Sequence, residues 1–154
     1  VAKVLFLHGL DAQPGGVKPT YLLQQGHEVL NPSLPREDFE RSVQIAERAC
    51  REGQPDVVVG SSRGGAVALA LDRGHCPIIL LAPAWKFFLP DVRITGPTHV
   101  IHAPTDALIP IEHSRELAVR FPNHVQLFEM GDRHTLTDPA SLARLDASVR
   151  ELVR

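Results

Sequence analysis

The sequence predicts a single α/β domain spanning 1–154, a three-layer α/β/α sandwich around a mainly parallel sheet of about six strands. Three observations predict it. Short apolar runs rich in Val, Ile and Leu recur at 4–8, 28–31, 57–60, 78–82, 99–103 and 125–130. They lack the polar alternation of a half-solvated strand, so they suit strands buried on both faces. Segments with helical spacing separate most of them, the signature of strand–helix–strand units. The chain of 154 residues also carries no repeat, linker or low-complexity tract, so it fits one core.

Each element has its own warrant. Residues 4–8 form the first strand, and a short helix follows at about 18–26. The segment 37–52 places Phe39, Val43, Ile45, Ala46 and Ala49 on one broad helical face. The run 57–60 leads through a cluster of small residues into a helix-forming stretch from Gly65 to Leu71. Leu117, Ala118 and Phe121 share a face in a helix over 111–121. The last helix, 139–153, opens with Pro139 behind the capping residue Asp138 and carries Leu142, Leu145, Val149 and Leu152 at helical spacing. Right-handed connections put helices on both faces of such a sheet, and ligands bind outside the carboxyl ends of its strands.

Composition excludes several classes. With 16 basic and 18 acidic residues the formal net charge is −2, which supports neither a nucleic-acid partner nor a polybasic membrane surface. No apolar run is long enough to span a bilayer. The segment from Val1 to Leu7 reads as a strand and not as a signal peptide, so the expected location is the cytoplasm. Cys50 and Cys76 make neither a disulfide framework nor a metal site and are expected as free thiols. No metal or organic cofactor is implied, and the expected assembly is a monomer or homodimer.

The most informative segment is Gly60-Ser61-Ser62-Arg63-Gly64, a G-x-S-x-G placed between a strand and a helix. In that context the central serine sits on a sharp, strained turn that lifts its Oγ clear of the sheet. Small flanking residues let strand and helix cross closely, and the helix start turns unpaired N–H groups toward the site. Ser62, between the glycines, is therefore the candidate nucleophile, and Ser61 a structural hydroxyl. A phosphate cradle is the rival reading, but neither the lysine of a P-loop nor the spacing of a dinucleotide fingerprint is present.

Other strand ends supply partners. The first is followed by His8-Gly9-Leu10-Asp11, the fifth by Pro104-Thr105-Asp106-Ala107-Leu108-Ile109-Pro110, and the sixth by Gly131-Asp132-Arg133-His134. The chain order is thus Ser, Asp, His. With these four features in this order, the sequence resembles the α/β-hydrolase superfamily over nearly its whole length, in particular its small esterase-like members without a cap domain. The resemblance implies a serine hydrolase acting on a small ester or related acyl substrate. Ser62 would attack, His134 would serve as base, and Asp106 would orient the imidazole. Asp132 is a competing acid, cramped by its closeness to His134. The backbone N–H of Arg63 would stabilise the oxyanion, and the resemblance points to Leu10 for the second donor. A non-catalytic binding protein on the same scaffold is the alternative; possession of all three triad residues favours the enzyme.

Several further residues are placed near such a site. His8 either touches substrate or makes a hydrogen bond that shapes the loop after the first strand, and Asp11 is similarly placed. The Arg63 side chain is positioned either for a structural salt bridge or for an acidic substrate group. The segment 84–97 is too short for a lid yet holds Trp85, Phe87 and Phe88, which could line a substrate pocket, form a dimer face or enter the core. The Gly/Pro-rich loop 11–19 suits a site rim. A lid-less chain predicts a shallow, open cleft. His99 and His102 fall three apart on one strand, so they face opposite sides and make no metal pair. His27, His75, His113 and His124 read as surface or loop residues.

Overall fold

A computed structural model describes residues 1–10 and 12–154. Its strands are β1 (Lys3–Leu7), β2 (Glu28–Leu30), β3 (Val57–Ser61), β4 (Ile78–Leu81), β5 (Thr98–His102) and β6 (Val125–Glu129). The helices are α1 (Val17–Gln24), α2 (Phe39–Gly53), α3 (Arg63–Ala70), α4 (Trp85–Phe88), α5 (Ile111–Arg120) and α6 (Pro139–Leu152). Five of these follow the periodicity of the sequence; α4, a single turn of aromatic residues, carries no such signal.

All neighbouring strands pair in parallel, in the order β2-β1-β3-β4-β5-β6. Alternate residues feed two cores. Leu5, Leu7, Val58, Leu80 and Val100 pack with Ala46 of α2, Val67 of α3 and Leu117 of α5. Val4, Phe6, Val59, Ile79 and Ile101 pack with Leu22 of α1 and with Leu145 and Val149 of α6. The result is the α/β/α sandwich, with both sheet faces covered. Helix α3 crosses the middle of the sheet and is buried from Arg63 to Leu69, which explains the small, apolar residues that follow Arg63.

Local signals define the helix ends. The Asp38 side chain accepts from Arg41 N–H at the start of α2, and Asp138 accepts from Ser141 N–H at the start of α6 behind Pro139. Strand register then sets the site. Leu7 pairs with Gly60, Gly60 with Leu80, and Val100 with Leu127, so the carboxyl ends of β1, β3, β5 and β6 lie along one edge. The chain first builds outward from β1 to β2 and then returns to place β3 on the other side of β1. That reversal opens the crevice at the ends of β1 and β3.

Candidate active site

The elbow is a single residue. β3 ends at Ser61 and α3 begins at Arg63, so Ser62 alone reverses the chain, at φ 56° and ψ −116°. Such a conformation costs a residue with a Cβ about 1–3 kcal/mol. It is held by hydrogen bonds from Ser62 N–H to Leu81 O (2.8 Å) and from Ala84 N–H to Ser62 O (2.9 Å). Glycine is required by close approach: a Cβ on Gly60 would strike the Gly64 backbone, and one on Gly64 would strike the Leu7 carbonyl. The loop after β1 also passes close, though less so, since a Cβ on Gly9 would lie 3.3 Å from Ser62 Cβ.

Three side chains from separate strand ends meet here. Ser62 Oγ lies 3.0 Å from His134 Nε2, and His134 Nδ1 lies 2.6 Å from Asp106 Oδ2. An ionised carboxylate can only accept, so Nδ1 carries the imidazole proton and Nε2 is left to accept from the serine hydroxyl. The Asp106 side chain is fully buried, whereas that of His134 keeps partial access to solvent. Burial alone would raise the Asp106 pKa. Hydrogen bonds from Ile109 N–H, His134 and Leu108 N–H outweigh it and hold the carboxyl below its ordinary value. Both backbone bonds reach Oδ1 at 2.8 Å, which fixes the carboxylate plane. Asp132 is exposed, its carboxylate 3.5 Å from Arg133 and away from the imidazole pair.

His102, which sequence reasoning passed over, stands behind this acid. It is completely buried, and its Nε2 lies 2.9 Å from Ile109 O and 3.3 Å from Asp106 Oδ2. The Ile109 carbonyl requires a donor, so Nε2 carries the proton and Nδ1 accepts from Ser114 Oγ at 2.6 Å. Desolvation lowers the His102 pKa, against the opposing pull of Ile109 O and Asp106, and favours the neutral ring. The available signal was its place: the last residue of β5, just before the turn that carries Asp106. His99 faces the other side and bonds Ser148 Oγ of α6 at 2.8 Å.

A cavity of about 550 Å³ opens over Ser62. Gly9, Leu10, Ala12 and Lys18 line one side, Phe87, Phe88, Leu108 and Ile109 another, and Ser62, Arg63 and His134 the base. Leu10 and Arg63 therefore flank the serine, and Arg63 N–H, at the first position of α3, has no partner within the helix. One turn of helix, α4, and the 104–110 loop suffice to raise the cavity walls.

Of the two readings of His8 the structure takes the loop-shaping one, and Trp85 needs correction. His8 does not line the cavity: it is buried, with Nδ1 2.8 Å from Gly9 O and Nε2 accepting from Leu34 N–H at 3.0 Å. Both ring nitrogens are used in shaping the loop. Trp85 is also withdrawn, 3 % exposed, with its Nε1–H donated to His113 O, while Phe87 and Phe88 line the cavity. Asp11 lies outside the described residues. Lys18 was missed as a lining residue; its signal was a lone lysine on the Gly/Pro-rich rim. Arg63 has no salt bridge among the described residues. Its guanidinium donates to Pro35 O and Ser42 Oγ and lies 5.6 and 5.7 Å from the Phe39 and Phe88 ring centroids.

Among the described residues, no helix is long and apolar enough to cross a membrane. Known proteins extend the comparison. No curated protein is a significant match to the sequence. Among solved structures, the chain is similar to mouse alpha/beta hydrolase domain-containing protein 10 (TM-score 0.78, 16 % identity, covering 98 % of this chain and 89 % of that one). It is also similar to the esterase Pf2001 of Pyrococcus furiosus (0.76, 17 %, 98 % and 79 %). A third is Est1E of Butyrivibrio proteoclasticus with bound ferulic acid (0.73, 16 %, 98 % and 87 %). At these identities the likeness is one of fold. The family model described as the alpha/beta hydrolase family matches residues 4–153, and with that match the chain belongs to the alpha/beta hydrolase family.

Proposed function

We propose that the protein is a serine hydrolase of small carboxylic esters, with Ser62 as nucleophile, His134 as general base and acid, and Asp106 as the orienting carboxylate. The observation that carries this reading is the unbroken line from Ser62 Oγ through His134 to Asp106, at 3.0 and 2.6 Å, on the floor of an open cavity. Family membership supports hydrolase chemistry in general.

The geometry suits a two-step acyl transfer. As Ser62 Oγ bonds to the ester carbonyl carbon, its proton passes to His134 Nε2. Asp106 stabilises the imidazolium so formed. The carbonyl oxygen becomes an oxyanion that the N–H groups of Arg63 and Leu10 would receive, reinforced by the N-terminal end of α3. The intermediate collapses as His134 returns the proton to the departing alkoxide, leaving an acyl-serine and a free alcohol. Water then attacks the acyl carbon, giving its proton to Nε2. Collapse of the second intermediate returns that proton to Oγ and releases the acid. Phe87, Phe88, Leu108 and Ile109 offer apolar walls to the organic parts of the substrate.

The test is hydrolysis of 4-nitrophenyl butyrate by wild type and Ser62→Ala. Wild type is expected to turn over, and the variant to fall to the uncatalysed rate while keeping its unfolding temperature. A well-folded wild type without turnover, or an active Ser62→Ala, overturns the reading.

A further inference from the structure

The cavity over Ser62 is electrostatically lopsided. Among its described lining residues the ionisable side chains are Lys18, Arg63 and His134, and none is acidic. Lys18 reaches from α1 to the segment after His134, where its Nζ donates to Thr135 O at 2.6 Å. That neutral carbonyl uses one of three ammonium protons and supplies no counter-charge. Arg63 is 2 % exposed, and its side-chain partners are likewise neutral: Pro35 O, Ser42 Oγ and two aromatic faces. Its Nε has no hydrogen-bond partner among the described residues.

Among the described residues no carboxylate is hydrogen-bonded or ion-paired to either cation, which is unusual because removing a charge from water costs several kcal/mol unless something pairs with it. Apolar walls also lengthen the reach of the field, and the start of α3 adds a dipole of the same sign. The missing counter-charge is therefore to be looked for in the ligand. We propose that the site prefers esters bearing a negatively charged group, such as a carboxylate on the acyl or alcohol portion, and that Lys18 is the residue that recognises it. The proposal rests on the serine-hydrolase reading above for its turnover assay, and on binding alone for its second test.

The charge of Lys18 is itself tunable. The residue is half-buried, and desolvation around its ammonium brings the pKa down to about 8. Of the other groups facing the cavity, Arg63 stays charged near neutral pH, with Asp38 the carboxylate acting on it, and His134 affects all esters alike. A ratio of two substrates thus isolates Lys18.

The experiment compares kcat/KM for monomethyl glutarate and methyl valerate, which replaces the carboxylate with a methyl group. Wild type at pH 7 is expected to favour the anionic ester, and Lys18→Gln to lower that ratio by about tenfold. Lys18→Arg should restore it. As pH rises through about 8 the wild-type ratio should fall, while that of Lys18→Arg holds. A wild-type ratio at or below one, or a ratio unmoved by Lys18→Gln, overturns the proposal. If neither ester is hydrolysed, the hydrolase reading fails instead. The anion preference is then read from NMR titration of monomethyl glutarate into Ser62→Ala. Adding Lys18→Gln must weaken that binding, and equal binding overturns the proposal.

Discussion

Among the described residues, two histidine–carboxylate pairs are equally short. His134 Nδ1 lies 2.6 Å from Asp106 at the carboxyl edge of the sheet; His27 Nε2 lies 2.6 Å from Asp146 on the amino-terminal side, where β1 begins. Both pairs are mostly buried and both Asp pKa values are held low. They differ in the remaining ring nitrogen. His27 Nδ1 accepts from the backbone N–H of Ala2 at 3.1 Å, so the ring is a strut between β1 and α6. His134 Nε2 faces the hydroxyl of Ser62 and an open cavity. An imidazole backed by a carboxylate is thus only half of a base catalyst. What stands on the other nitrogen decides whether the pair braces the fold or can move a proton.

Six substitutions probe that contrast. The largest effect belongs to His134→Ala, which should lower kcat for an ester by about 10⁴-fold or more, measured at saturating substrate. His27→Ala, by comparison, should leave kcat near wild type. Asp106→Asn comes next, at about 10³–10⁴-fold in kcat, because an amide facing Nδ1 no longer enforces the required tautomer. If Asp132→Asn were the severe variant instead, the acid would be misassigned.

Asp146→Asn should act on stability alone, by about 1–3 kcal/mol in urea unfolding at pH 7. Burial opposes the low Asp146 pKa, but hydrogen bonds from His27 and Arg150 outweigh it. A carboxyl whose folded pKa is below its unfolded value stabilises the fold above the unfolded pKa, and loses that contribution as pH falls through the folded one. The unfolding free energies of wild type and Asp146→Asn should therefore converge below the usual carboxylate range. The smallest effect is that of Leu10→Ala, which leaves the backbone N–H in place and should change kcat/KM by less than about threefold.

The same contrast marks what could be read from the sequence. Ser62, Asp106 and His134 were visible because each follows an apolar run whose register a parallel sheet must align, and Gly60 and Gly64 flagged the crossing. His27, read as a surface or loop residue, does lie in the loop before β2, but it is buried. Its partner Asp146 is 119 positions away, and only the packing of α6 beside β1 brings them together. His102 was passed over for a related reason. Its partners, Ile109 O and Ser114 Oγ, meet it only once the 104–110 turn has closed and α5 has docked. Trp85 and Phe87 could not be separated, because a single helical turn assigns one ring to the core and the other to the cavity. Strand ends are legible in one dimension; the far side of an imidazole is not.

The account is tested most directly by the rate and position of labelling with a fluorophosphonate, followed by peptide mass spectrometry. It predicts one adduct, on the peptide containing Ser62, forming at the wild-type rate in His27→Ala and hardly at all in His134→Ala. An adduct elsewhere, or equal slowing by the two histidine variants, would contradict it.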